Sequence, residues 1–109
     1  MQELGRGMKV FDHPPVRGAW RTFRTSADLA GVEGPVVAVV RDPGAVWLAS
    51  LGESLVAVVC TTGTPRSHVG IMAANLGVPC VVAAAMAEVP EDGRQVEVDC
   101  SGDDGLVRG

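Results

Sequence analysis

The chain has 109 residues, 47% of them hydrophobic, and a net charge of -4 from 13 acidic and 9 basic side chains. That length supports one domain with a real core, and that hydrophobic share excludes a disordered chain. The acidic balance argues against bulk electrostatic binding to nucleic acid or an anionic membrane.

No apolar run approaches the roughly 18 residues a spanning helix needs. Met1 to Met8 is polar and has no hydrophobic signal region, so the expected compartment is the cytoplasm. The cysteines, Cys60, Cys80 and Cys100, form no C-x-x-C pair. They predict neither a disulfide framework nor a metal site, and read instead as small buried hydrophobes in or beside strands. With no tyrosine and only four other aromatic residues, a stacking platform for single-stranded nucleic acid is not expected.

Residues 1–15 end on Pro14-Pro15 and read as a lead segment or linker, with His13 a surface loop residue. Residues 16–109 form the domain. Val16 to Thr25 suggests a short strand or two, with Trp20 and Phe23 packing and Arg17, Arg21 and Arg24 on a solvated face. Ser26 is placed to cap a short helical turn. Val36 to Val40 is a continuous apolar run, as in a strand covered on both faces.

Arg41-Asp42-Pro43-Gly44 is a turn. Ala45 to Leu51 then predicts a compact helix stopped by Gly52, with Trp47 and Leu51 on one face. Leu55 to Cys60 is a second buried strand and Val81 to Ala85 a third. Gln95 to Cys100 alternates polar with apolar, which suits a strand with one wet face. Ser101 to Gly105 is a hairpin-type turn, and Leu106 to Arg108 its return strand. The order implies an α/β domain with a mixed sheet.

Between the second and third buried strands lies Thr61-Thr62-Gly63-Thr64-Pro65-Arg66-Ser67-His68. Ser67 is placed as N-cap of a helix from about His68 to Leu76, Gly77 as its left-handed end, and Pro79 as a stop. His68 therefore falls in the first helical turn, where free amides and the dipole's positive end favour an anion. A histidine so placed, ringed by the hydroxyls of Thr61, Thr62, Thr64 and Ser67 and the charge of Arg66, is suited to hold a phosphoryl group. The local pattern serves equally well for a histidine that only helps to cap the helix.

Gly63 and His68, followed by Val69-Gly70-Ile71-Met72-Ala73-Ala74-Asn75-Leu76-Gly77-Val78-Pro79-Cys80-Val81-Val82, resemble the phosphohistidine stretch of the phosphoenolpyruvate-utilising enzymes. Trp47-Leu48, Gly93-x-x-Val96-x-Val98-Asp99 and Gly105-x-Val107 extend the likeness to most of Val16 to Arg108. It departs from the family pattern at three places. Thr64 stands for a second glycine, Arg66 for an uncharged residue, and Ala74-Asn75 for an Arg-Glu pair.

The resemblance implies a swivelling β/β/α domain with a helix starting at the histidine loop. It implies His68 as the phosphorylated catalytic residue, with Gly63 and Ser67 matching the family's loop; Thr62, Thr64 and Arg66 join them in the expected phosphate loop on the local reading of hydroxyls and charge alone. It further implies a phosphotransferase component that binds no cofactor or metal itself. Mg with ATP or phosphoenolpyruvate belongs to partner domains: an ATP-grasp nucleotide-binding domain, a phosphoenolpyruvate/pyruvate or other acceptor-binding domain, or both. A non-catalytic swivel-like binding or regulatory module, or the small subunit of a swivel-fold lyase, are the alternatives.

Overall fold

A computed structural model describes all residues, Met1–Gly109. Seven strands carry the fold: β1 (Glu3–Lys9), β2 (His13–Thr22), β3 (Val36–Val40), β4 (Leu55–Cys60), β5 (Cys80–Met86), β6 (Gln95–Cys100) and β7 (Gly105–Arg108). One α-helix, α1 (His68–Leu76), connects β4 to β5, and 3-10 segments cover Ser26–Leu29 and Val46–Ser54. The strands run in the order β1-β5-β4-β3-β2-β6-β7 and close into a barrel through β7 and β1. β2, β3, β4 and β5 pair in parallel, and the remaining pairings are antiparallel.

The period-two alternation of strand side chains explains the two cores. Val37 and Val39 of β3, Ala57 and Val59 of β4 and Val81 of β5 join the first core with Leu4, Trp20, Val96, Val98 and Val107. Their neighbours Ala38, Val40, Val58, Cys60, Cys80 and Val82 join the second, with Val69 and Ala73 of α1 and Ala45 and Leu48. The parallel strands are apolar on both faces because a helical layer covers the face turned away from the first core. β6 shows the other pattern: Val96 and Val98 are buried, while Gln95 is exposed and Glu97 half-buried. All three cysteines are free and buried, and Trp20 and Phe23 are core residues.

Several expectations change. The sheet is mixed, as expected, but it closes into a seven-stranded barrel, which the expected swivelling β/β/α layers did not include. Residues 1–15 are not a lead segment: β1 pairs with both β5 and β7, and the Leu4 side chain is fully buried. Gly5 makes that pairing close, since a Cβ there would stand 2.7 Å from the Ala85 carbonyl oxygen.

His13 does not lie in a loop. It opens β2 opposite Cys100, with Nδ1 2.7 Å from the Pro14 carbonyl oxygen. Thr25, not Ser26, caps the first 3-10 turn, and the Asp28 carboxylate accepts the Arg24 and Thr25 amides. The helix expected over Ala45–Leu51 is 3-10, and it continues past Gly52, whose φ of 58° kinks it.

Candidate functional site

The carboxyl ends of the parallel neighbours β3 and β4 feed the site, the usual address for ligands on a parallel sheet. After β3 come Arg41-Asp42-Pro43-Gly44, and after β4 come Thr61 to Ser67. Three hydrogen bonds join these loops to β3, to each other and to α1. Thr61 donates its amide to the Val40 carbonyl at 3.1 Å. Thr62 donates its hydroxyl to the Arg41 carbonyl at 2.6 Å. Val69 donates its amide to the Pro43 carbonyl at 2.9 Å. A fourth bond ties the loop to β5, where the Ala83 amide donates to the Thr62 carbonyl at 2.9 Å.

α1 spans His68–Leu76 as read from the sequence, with Gly77 left-handed (φ 70°) at its end. Ser67 occupies the N-cap position, yet its side chain caps nothing in the helix. Its hydroxyl instead accepts the Thr64 amide at 2.8 Å. The Thr64 hydroxyl in turn accepts the Arg66 amide at 3.3 Å. Gly63 permits this folding of the loop: its φ is 86°, and a Cβ there would come within 2.7 Å of the Ser67 hydroxyl.

The six residues assigned to the site divide into three roles. His68 is exposed at the first position of α1. Arg66 and Ser67 line a shallow recess of 230 Å³ with His68, Pro43 and Gly44. Thr62, Gly63 and Thr64 do not line it, and their bonds shape the loop instead. Pro43 and Gly44 were read only as a turn. The available signal was their position after a strand flanked in parallel by β4. His68 also lines a second concavity, an apolar groove of 450 Å³, with Val46, Ile71, Met72, Asn75 and Leu76.

The electrostatics around His68 are simple. α1 carries no acidic or basic residue in its first or last turn, so the helix dipole and Arg66 supply the positive character. The strongly shifted acid lies elsewhere, on β6. Hydrogen bonds from Ser101 and the Arg108 guanidinium hold the Asp99 carboxyl down to about 2. Burial pushes the Cys80 thiol up to about 12 and the Cys100 thiol up to about 11. No three His, Cys, Asp or Glu side chains converge as a metal site. No helix is long and apolar enough to cross a membrane.

Comparison with curated proteins finds no match. The family described as "PEP-utilising enzyme, mobile domain" matches residues 32–102. That span runs from before β3 to just past β6 and contains the loop, His68 and all of α1. The chain belongs to the PEP-utilising enzyme mobile-domain family.

Proposed function

We propose that the protein is a phosphoryl carrier, in which His68 accepts a phosphoryl group at one active site and delivers it at another. The observation that carries this reading is the exposed imidazole at the start of α1, where no side chain caps the helix and Arg66 and Ser67 line a recess beside the ring. Amides at an uncapped helix start favour the charge of a phosphoryl group on that ring.

The step needs one nucleophilic nitrogen. As the N–P bond forms, the donor's P–O bond breaks and its electron pair leaves with the departing oxygen. In the second step an acceptor oxygen forms the new P–O bond and the ring nitrogen is the leaving group. Arg66 would balance charge on the transferring group. Thr62, Gly63, Thr64 and Ser67 would hold the loop in position through the bonds described above.

The donor and acceptor sites lie on partner domains. Family membership supports an ATP-grasp nucleotide-binding domain, a phosphoenolpyruvate/pyruvate or other acceptor-binding domain, or both, with Mg and ATP or phosphoenolpyruvate held there. The test incubates the protein with such a partner and labelled ATP or phosphoenolpyruvate. A phosphate on His68 that survives alkali and is lost in acid supports the carrier. An assembly that turns over with no label on His68, and keeps its activity with His68→Ala, supports a non-catalytic module instead.

A further inference from the structure

Ala83 stands inside β5 at φ 50°, and it is the only residue other than glycine at positive φ. Arg6 of β1 faces Ala85 and Met8 faces Val82, so Ala83 and Ala84 together oppose the single residue Gly7. That is a β-bulge, a device that turns a residue out of its ladder. Gly7 fits it closely, since a Cβ there would stand 2.9 Å from the Ala84 Cα. The left-handed conformation is unfavourable for alanine, and such strain persists where the surrounding structure enforces it, most often beside a functional site.

The bulge aims at the histidine loop. The Ala83 amide donates to the Thr62 carbonyl at 2.9 Å, reaching from β5 to the exit of β4. The Thr62 hydroxyl donates to the Arg41 carbonyl at 2.6 Å, so this one residue is held from both sides. Gly63 follows directly, and a Cβ there would stand 3.1 Å from the Pro43 Cβ. The Pro43 carbonyl in turn accepts the Val69 amide at 2.9 Å. Arg66, Ser67 and His68 therefore lie between two fixed points, Thr62 and Val69. Ala83 does not line the recess, so it acts on His68 only through the loop.

We infer that Ala83 is a positioning residue for His68: its left-handed conformation holds the Thr62 carbonyl, and so fixes where Arg66 and the ring meet the phosphoryl group. The inference rests on the carrier reading of His68. Misplacing the reacting groups slows the transfer step more than it weakens the encounter that precedes it.

The test is steady-state phosphorylation of the protein by a purified ATP-grasp or phosphoenolpyruvate-binding domain that labels it, with the concentration of this protein varied. Ala83→Asn and Ala83→Val add side chains of similar size at an exposed position, but asparagine tolerates the left-handed region and valine does not. Ala83→Gly and Ala83→Asn are expected to keep kcat within about twofold of wild type, and Ala83→Val to lose about tenfold in kcat. A variant that is merely less folded supplies less substrate and raises the apparent KM at unchanged kcat, which separates positioning from stability. Hydrogen exchange should find the residue-83 amide protected in wild type, Ala83→Gly and Ala83→Asn, and released in folded Ala83→Val. A folded Ala83→Val protein with wild-type kcat, a loss of kcat in Ala83→Asn, or an unprotected Ala83 amide in wild type each overturns the positioning role and leaves the carrier intact. Absence of label from wild type in an active assembly overturns the carrier, and the positioning role with it.

Discussion

Ser67 turns its hydroxyl back to the Thr64 amide, 2.8 Å away, and leaves the first turn of α1 without a side-chain cap. A serine at this position ordinarily satisfies a helix amide and so competes with any incoming anion. Here it is occupied in shaping the loop. Ser67→Ala removes one acceptor and should cost about 1 kcal/mol of stability. Gly63→Ala should cost more, roughly 2 kcal/mol, because φ 86° is strained for alanine and the new Cβ meets the Ser67 hydroxyl. Urea unfolding of the two variants checks the order; equal stability of Gly63→Ala and wild type would contradict it.

Ala83 stands within β5 at φ 50°, the left-handed region, and its amide holds the Thr62 carbonyl. An exposed alanine there loses little by truncation, so Ala83→Gly trades about 1 kcal/mol of backbone strain against a smaller entropic cost. We predict a rise in Tm of roughly 2–5 °C, and a fall for Ala83→Val. Calorimetry checks both signs.

The sequence made α1 legible to the residue because its signals are local: a turn-forming loop before His68, Gly77 at the end, and Pro79 beyond it. The runs Val36–Val40 and Leu55–Cys60 were legible for a similar reason, since burial on both faces leaves a continuous apolar pattern. β1 was not. Gly5 and Gly7 look like flexibility in one dimension, yet they allow close pairing with β5, a contact about 80 residues away that no local pattern encodes. Closure of the barrel depends on the same pairing. The choice of Ser67 between two amide donors was equally hidden, because its type fits either. The groove was not legible because only the packing shows which apolar side chains of α1 remain uncovered, Ile71 and Leu76 among them.

Asp99 gives the fold a definite acid sensitivity. Its carboxylate accepts from the Ser101 amide and hydroxyl and pairs with Arg108 at 2.7 Å, which holds its pKa at about 2. A carboxyl with a depressed native pKa adds stability that is complete above its unfolded value and is lost as pH falls through the native one. By linkage the contribution is roughly 2 kcal/mol at neutral pH, declining between about pH 5 and pH 2. Asp99→Asn should be less stable than wild type at pH 7, with the gap closing toward pH 2. Denaturant melts across that range decide it, and a gap independent of pH would refute the assignment.

The three thiols should be inert in the native protein. Each is buried, and Cys80 and Cys100 stay protonated at pH 8 because burial raises them to about 12 and about 11. A chromogenic disulfide reagent should react slowly with the folded chain and rapidly at all three sites in denaturant. Rapid reaction of the folded protein would contradict the packing described for the two cores.

The carrier reading stands or falls on the chemistry of one side chain. The protein, its donor partner and labelled phosphoenolpyruvate or ATP should yield a phosphoprotein whose label is stable in alkali, released in acid, chased away by acceptor, and absent from His68→Ala. A phosphate found on any other residue, or an active assembly in which His68→Ala turns over at the wild-type rate, would contradict it.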